Sequence, residues 1–192
     1  MNALEILVLD FETTGLDPAR DRIVMAGWVL IRHARIELGS ADELRVHPEA
    51  AAGVGQSAVI HGIVDSDLDD ATDEAGLLEA LMPLLAGRVI AAHAAAIERG
   101  FLHHLLRRHG GVRLPHTFID TLAVERRLLE SRGMPAQAQQ EALNLATARS
   151  RYGLPPHSQH SALADAVACA ELLLAQISVL EGHRVLRLAE IA

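Results

Sequence analysis

The sequence predicts an α/β protein in which a mixed sheet of about five strands is flanked by helices. Three strand patterns fill the first quarter of the chain, and helix and strand patterns alternate after them. The C-terminal half is mainly helical, and no internal repeat or linker interrupts it. The 192 residues therefore fit a single domain, residues 1–192, that is long enough to bury a sizeable core.

The first three strands are predicted from their apolar residues. Leu4 to Asp10 is a short apolar run that ends in an acid, which is the pattern of a buried strand. Ile23 to Arg32 and Arg35 to Val46 follow as two longer strands. His33-Ala34 lies between them, so we expect a tight turn there.

Helices and short strands alternate in the middle of the chain. Leu77 to Leu85 predicts a helix, and Arg88 to Ala92 predicts a short buried strand. Ala95 to Arg108 predicts a second helix, because it carries apolar residues at helical spacing: Ile97, Phe101 and Leu105. The pair Gly110-Gly111 should end this helix.

The remaining elements are one strand and three helices. Thr117 to Ile119 is short and rich in β-formers, and Asp120 can cap a helix that runs to about Leu129. A polar loop separates it from a helix around Glu141 to Tyr152. Pro155-Pro156 then breaks the chain before a last long helix, from Ser161 to about Glu181.

Composition limits the partners and the compartment. A net charge of −8 argues against a protein that grips long nucleic acid through a basic surface, but divalent ions could still hold a short end. The single cysteine, Cys169, cannot form an intramolecular disulfide and is expected to be buried in a helix. The N-terminus lacks the basic region of a signal peptide, and charges interrupt the apolar stretch Leu163 to Leu180. We therefore expect a cytoplasmic protein without a membrane span.

The first candidate site residues are Asp10 and Glu12 in the segment DFETTG. Residues two apart on a strand share a face, so these carboxylates should lie together while Phe11 points the opposite way. Paired acids at the end of an apolar strand need a positive partner, and carboxylate oxygens suit Mg²⁺ or Mn²⁺. The alternative is a pair of solvated acids that enter a loop.

Two further segments carry chemically useful side chains. His160 and Asp165 are five residues apart, so they cannot share a face of a regular helix. They can meet if His160 lies on the loop after the proline pair and Asp165 lies in the first turns of the helix. Glu98 falls in the first turn of its predicted helix, where a surface acid favoured by the helix dipole is the alternative interpretation.

In order and spacing, these segments resemble the DEDDh 3′–5′ exonucleases, the superfamily of the proofreading epsilon subunit of bacterial DNA polymerase III. LDFETTG is similar to the first motif of that family, VIAAHAAAIERGFL to the second, and HSALADAVACAELLLA to the third, His-x4-Asp. FIDTLAVERRLL and the segment from Pro48 through Ile63 also match family segments. The resemblance covers about residues 4–177 and leaves a short C-terminal tail.

The resemblance implies a ribonuclease H-like fold and two divalent metal ions, Mg²⁺ or Mn²⁺. Asp10, Glu12 and Asp165 match three of the four metal-binding carboxylates of the family, and His160 matches its general base. Glu98 stands where the family has the fourth carboxylate, an Asp. Asp120 is a rival for that role, although helix capping also explains it. Tyr152 lies too far before Asp165 for the sister class that replaces the base histidine by tyrosine.

The implied substrate is a nucleic acid with a free 3′ end, preferably single-stranded. The family pattern places Thr13, Thr14 and Gly15 at the terminal sugar, and Ile60 and His61 near its base. Ala94 and Ile97 replace the Asn and Phe that are usual in the second motif. The resemblance implies that Ile97 contacts the substrate, but without a stacking ring, so the substrate preference is open. His93 matches a family position beside the site and is interpreted as structural.

Two alternatives remain at the level of the sequence. A catalytically idle nucleic-acid-binding or scaffold domain could use the same fold, and the change to Glu98 together with the acidic net charge favours it. An exonuclease that acts on short RNA rather than DNA is the other alternative. Any polymerase or other protein partner would have to be a separate chain.

Overall fold

The computed structural model describes residues 4–47, 71–111, 117–134, 142–158, 161–181 and 188–192. The expectations for Ile60, His61 and His160 fall outside these described residues.

In the described part of the chain, five strands form one sheet in the order β3-β2-β1-β4-β5. Their bounds are Ile6–Thr13 for β1, Ile23–Arg32 for β2, Arg35–Arg45 for β3, Val89–Ala92 for β4 and Phe118–Asp120 for β5. β1 pairs with β2, and β2 with β3, in antiparallel fashion, whereas β4 is parallel to both β1 and β5. The predicted mixed sheet is thus confirmed.

The turn between β2 and β3 has the backbone that a tight hairpin requires. His33 and Ala34 both have positive φ, 51° and 56°. Two successive left-handed residues give a turn whose twist matches that of the flanking strands. The predicted turn is confirmed at these two residues.

β1 is longer at its C-terminal end than the predicted strand Leu4 to Asp10. It runs to Thr13, because the backbone pairing with β2 continues past the first acid. Asp10 lies opposite Gly27 and Glu12 lies opposite Met25 in this pairing. Both acids therefore belong to the sheet itself, and the alternative of acids that enter a loop is wrong.

Helices connect the strands and close the fold. They are α1 (Glu74–Leu85), α2 (Ala96–Leu105), α3 (Thr121–Ser131), α4 (Leu145–Arg151) and α5 (Ala162–Glu181). A π-helical turn, Leu106–Gly110, extends α2 and ends at Gly111, whose φ is 63°. The helix ends at the glycine pair, as predicted, but the sequence did not predict the π-helical turn before it. α4 begins later than the predicted Glu141, because the Asn144 side chain accepts a hydrogen bond from Thr147 N and caps it.

The two faces of the sheet build two hydrophobic clusters, as the alternation of β1 dictates. Leu7, Leu9 and Phe11 point to one face, where α1 and α2 cover them. Ile6 and Val8 point to the other face, which α3 and α5 cover. Cys169 is buried within this second cluster, as expected.

Among the described residues, one helix, α5, is long and apolar enough to cross a membrane by length and composition alone. Helices in a protein core pass the same test, and α5 packs Leu173 and Ile177 into the second cluster.

Candidate active site

The acidic residues lie at one edge of the sheet. β1, β4 and β5 run parallel, so their C-terminal ends meet there: Ile6 is opposite Val89, and Ala92 is opposite Asp120. The carboxyl edge of parallel strands is where ligands bind in open α/β sheets. Asp10 and Glu12 follow Ile6 and Val8 on the even-numbered face of β1, which is the face covered by α5.

A close approach of α5 to β2 brings the third acid to this edge. Gly27, the partner of Asp10 in the sheet, has no side chain, and the start of α5 packs directly against it. A Cβ at this position would lie 2.2 Å from the carbonyl carbon of Ala162 and 2.3 Å from Leu163 N. Asp165 lies in the first turn of α5, so the contact at Gly27 sets its distance from β1.

Asp10, Glu12 and Asp165 converge into one carboxylate cluster. Each offers an oxygen, and these three oxygens all lie within 4.8 Å of one another. Glu12 is buried, with an exposed fraction of 7%. Burial raises the pKa of Asp10 well above its ordinary value, and the nearby carboxylates of Glu98, Asp165 and Glu12 raise it further.

This cluster fits divalent metal ions. Its donors are hard carboxylate oxygens, which Mg²⁺ and Mn²⁺ prefer. A cation bound among Asp10, Glu12 and Asp165 would offset both the burial and the mutual repulsion that raise the pKa of Asp10. The positions of these side chains confirm two predictions: Asp10 and Glu12 lie together, and Asp165 approaches them.

Glu98 is buried beside the cluster rather than exposed on the helix surface. Its exposed fraction is 3%, so the alternative of a surface acid is wrong. Oε2 of Glu98 has no hydrogen-bond partner within the described part of the chain. Burial raises the pKa of Glu98 to about 8; a hydrogen bond from its own backbone opposes this change, and the Asp120 carboxylate adds to it. Glu98 is not among the three acids that share the 4.8 Å cluster, although it acts electrostatically on Asp10.

Asp120 and His93 tie the ends of β4 and β5 together. Oδ1 of Asp120 accepts from Leu122 N, at 3.0 Å, and from Ala94 N, at 3.0 Å. Its capping role is thereby confirmed. His93 bonds through Nδ1 to the Thr121 hydroxyl and through Nε2 to the Leu143 carbonyl, each at 2.9 Å. Burial lowers the pKa of His93, which agrees with the structural role that we expected for it.

The predicted sugar-binding residues lie at the end of β1 and in the loop that follows it. The Thr13 hydroxyl donates to the Gly15 carbonyl at 2.6 Å. Oγ1 of Thr14 accepts from Arg22 N at 3.0 Å, and the carboxylate of Asp21 packs against Cα of Gly15 so closely that a Cβ would clash with it. Ile97, the remaining predicted substrate contact among the described residues, packs against the first hydrophobic cluster.

Sequence reasoning missed His157. A cavity of about 310 Å³ opens beside the cluster, and its lining comprises Asp10, His93, Asn144, Leu145, Ala146, His157 and Asp165. Nε2 of His157 lies 2.8 Å from Oδ1 of Asp165. His157 lies outside the helices and strands, eight residues before Asp165, so the spacing alone does not predict that the two meet.

Comparison with known proteins gives a consistent result. Residues 7–173 match the model of a family described as Exonuclease (RNase T). A "DNA polymerase III PolC-type" protein of Thermotoga petrophila is 30% identical over 186 residues, which are 96% of this chain and 13% of that protein. A "DNA polymerase III subunit epsilon-like protein" of Rhodobacter capsulatus is 29% identical over 186 residues, 95% of this chain and 25% of that one. The chain thus spans a quarter or less of these relatives.

Solved structures share the fold. Escherichia coli exonuclease I in complex with a dT13 oligonucleotide superposes with a TM-score of 0.76 at 17% identity, over 93% of this chain and 42% of that one. The zinc-bound exonuclease I complex with single-stranded DNA gives a TM-score of 0.78 at 17% identity, over 94% and 41%. The ribonuclease H-like fold implied by the motifs is confirmed.

Proposed function

This chain belongs to the exonuclease (RNase T) family, and from that membership we propose that it is a metal-dependent 3′–5′ exonuclease. It hydrolyses the terminal phosphodiester bond of a single-stranded DNA or RNA and releases nucleoside 5′-monophosphates. The observation that carries this proposal is the convergence of Asp10, Glu12 and Asp165 at the carboxyl edge of the sheet. The cytoplasm is its proposed compartment.

In the proposed hydrolysis, carboxylates bind the metal ions and a histidine accepts the proton of the attacking water. Asp10, Glu12 and Asp165 would hold two divalent ions, and Glu98 would add a fourth negative charge from its buried position. When bound, such ions supply Lewis-acid stabilisation of the attacking water and of the leaving 3′-oxygen. His160 takes a proton from the attacking water as its oxygen forms a bond to phosphorus and the P–O3′ bond breaks. Solvent protonates the leaving 3′-oxygen, so the shortened strand keeps a 3′-hydroxyl and the released nucleotide carries a 5′-phosphate.

Substrate selection follows from the loop after β1. Thr13 donates to the Gly15 carbonyl and Thr14 accepts from Arg22 N, so the backbone of this segment is preorganised to receive the terminal sugar. Ile60, His61 and Ile97 are the proposed contacts to the terminal base. Exonuclease I was crystallised on single-stranded DNA, which supports a preference for an unpaired 3′ end. A DNA polymerase is a proposed partner, because the relatives carry polymerase names.

Oligonucleotides labelled at one end test the direction and the sugar preference. DNA and RNA of the same sequence, labelled at the 5′ end or at the 3′ end, are digested with Mg²⁺ or Mn²⁺. We expect a ladder that shortens one nucleotide at a time from the 5′-labelled strand, and an immediate labelled mononucleotide from the 3′-labelled strand. Asp10→Asn and Asp165→Ala should lose nearly all activity, as should the parent in excess chelator. Full turnover in chelator, or cleavage of a closed single-stranded circle, would contradict the proposal.

A further inference from the structure

His157 lies beside the carboxylate cluster and contacts one of its members, Asp165. Nε2 of His157 is 2.8 Å from Oδ1 of Asp165. The two side chains are largely buried, with exposed fractions of 10% and 15%, and both line the cavity that also reaches Asp10. An ionised carboxylate can only accept, so the hydrogen in this contact lies on Nε2 of His157.

Arg149 holds the segment that precedes His157 against α5, the helix that carries Asp165. Arg149, buried at the end of α4, donates from one nitrogen to the carbonyl of Ala168 on α5, at 2.7 Å, and from another to the carbonyl of Pro155, at 2.9 Å. It also pairs with Glu171 of α5 at 2.7 Å. The segment before His157 is therefore clamped to α5, and its two prolines restrict the backbone further. His157 and Asp165 are held in register by this clamp.

We propose that His157 is a positioning residue for the metal ions: its hydrogen bond to Oδ1 fixes the rotation of the Asp165 carboxylate so that the group is presented to the cation. This inference rests on the proposed function of the cluster. A carboxylate has two oxygens with several acceptor directions, so one hydrogen bond to Oδ1 leaves Asp165 able to ligate. Partners of this kind typically contribute about 10–100-fold in metal affinity or activity.

This role differs from that of a general base. A positioning residue needs only a hydrogen-bond donor at the place of Nε2, and it need not accept a proton during the reaction. His157→Gln keeps a neutral amide donor near that place, whereas His157→Leu keeps a similar volume without any donor. The two variants therefore separate positioning from proton transfer.

The test measures metal binding without substrate. Mn²⁺ is titrated calorimetrically into the parent, His157→Gln and His157→Leu, and the rate on single-stranded DNA is then measured against metal concentration. We expect roughly 10–100-fold weaker Mn²⁺ binding for His157→Leu, a matching rise in the Mn²⁺ concentration needed for half-maximal rate, and values near the parent for His157→Gln. His33→Asn is the matched control, because Ile6 pairs with Ile31 and Asp10 with Gly27, so His33 lies at the opposite end of the β1–β2 pair from the cluster.

Several outcomes would overturn the inference. Parental Mn²⁺ affinity in His157→Leu removes the positioning role. Loss of rate in both variants at saturating metal, with unchanged affinity, assigns His157 to the reacting atoms instead. Equal loss of affinity in His33→Asn shows that histidines bind the metal adventitiously. If the parent itself binds no divalent ion, the proposed function fails rather than this inference alone. Far-ultraviolet circular dichroism of each variant confirms that it is folded.

Discussion

Replacing Glu98 by Gln should stabilise the metal-free protein at neutral pH while it abolishes most of the nuclease activity. Glu98 has an exposed fraction of 3%, and its Oε2 has no hydrogen-bond partner among the described residues. Its pKa is raised from 4.5 to about 8, chiefly by burial. Gln keeps the shape of the side chain but removes the charge that the folded protein disfavours and that a bound metal ion requires.

The size of the effect follows from the pKa difference. An acid with a higher pKa in the folded than in the unfolded chain contributes a destabilising term that grows as pH rises above the unfolded pKa and levels off above the folded pKa. For Glu98 this window runs from 4.5 to about 8. At roughly 1.4 kcal/mol per pH unit across this window, the raised pKa would cost the parent up to about 5 kcal/mol. In the variant, a buried amide without an acceptor would lower the unfolding free energy by about 1–3 kcal/mol, which offsets part of this gain.

The assay is urea unfolding of the parent and Glu98→Gln in excess chelator, at several pH values between 5 and 8. The difference in unfolding free energy should grow with pH in favour of the variant. The change of this difference with pH tests the burial argument, because the cost of the buried amide does not depend on pH. Glu79→Gln is the matched control: Glu79 is exposed, and its variant should follow the parent at every pH.

Parallel curves for the parent and Glu98→Gln would refute the burial argument. Activity provides the second readout, as single-turnover rates with Mg²⁺ and Mn²⁺. Glu98→Asp, which restores the residue usual in the family, should keep a measurable part of the activity, and more with Mn²⁺ than with Mg²⁺. A Glu98→Gln variant that hydrolyses as fast as the parent would show that Glu98 has no part in the chemistry.

Three further predictions concern other parts of the site. His160→Ala should lower the single-turnover rate by roughly 10²–10⁴-fold while calorimetry finds unchanged metal affinity; a near-parental rate across neutral pH would point to another base. Gly27→Ala should cost about 3 kcal/mol or more in urea unfolding, because its Cβ would meet the backbone of α5 at 2.2 Å; parental stability would contradict this close approach. Ala94→Gly should raise the unfolding free energy by about 1 kcal/mol, because Ala94 has a φ of 66°; a loss of stability would mean that the left-handed backbone is not strained.

Local patterns were enough to predict most of the fold. A nearly continuous apolar run placed β2 at Ile23–Arg32 without error, and the following pair, His33-Ala34, marked the turn. The end of β1 was predicted too early, because acids normally favour solvent. Here Glu12 is buried, since the pairing with β2 extends past it.

The candidate site was predictable only where its residues are close in sequence. Asp10 and Glu12 share a face because residues two apart on a strand always do. Asp165 meets them because Gly27 lets α5 approach β2, a contact that no local pattern encodes. The burial of Glu98 likewise depends on packing between distant segments. The contact of His157 with Asp165 depends on Arg149, which holds the backbone at Pro155 against α5.

The most direct test of the central claim identifies the product of a single turnover. A linear single-stranded DNA and a closed circle of the same sequence are each incubated with the parent and with Asp10→Asn in Mn²⁺. If the carboxylate cluster catalyses hydrolysis at a 3′ end, only the parent acts, only on the linear strand, and the released product is a nucleoside 5′-monophosphate. Intact linear DNA with the parent, or equal product from Asp10→Asn, would contradict the account.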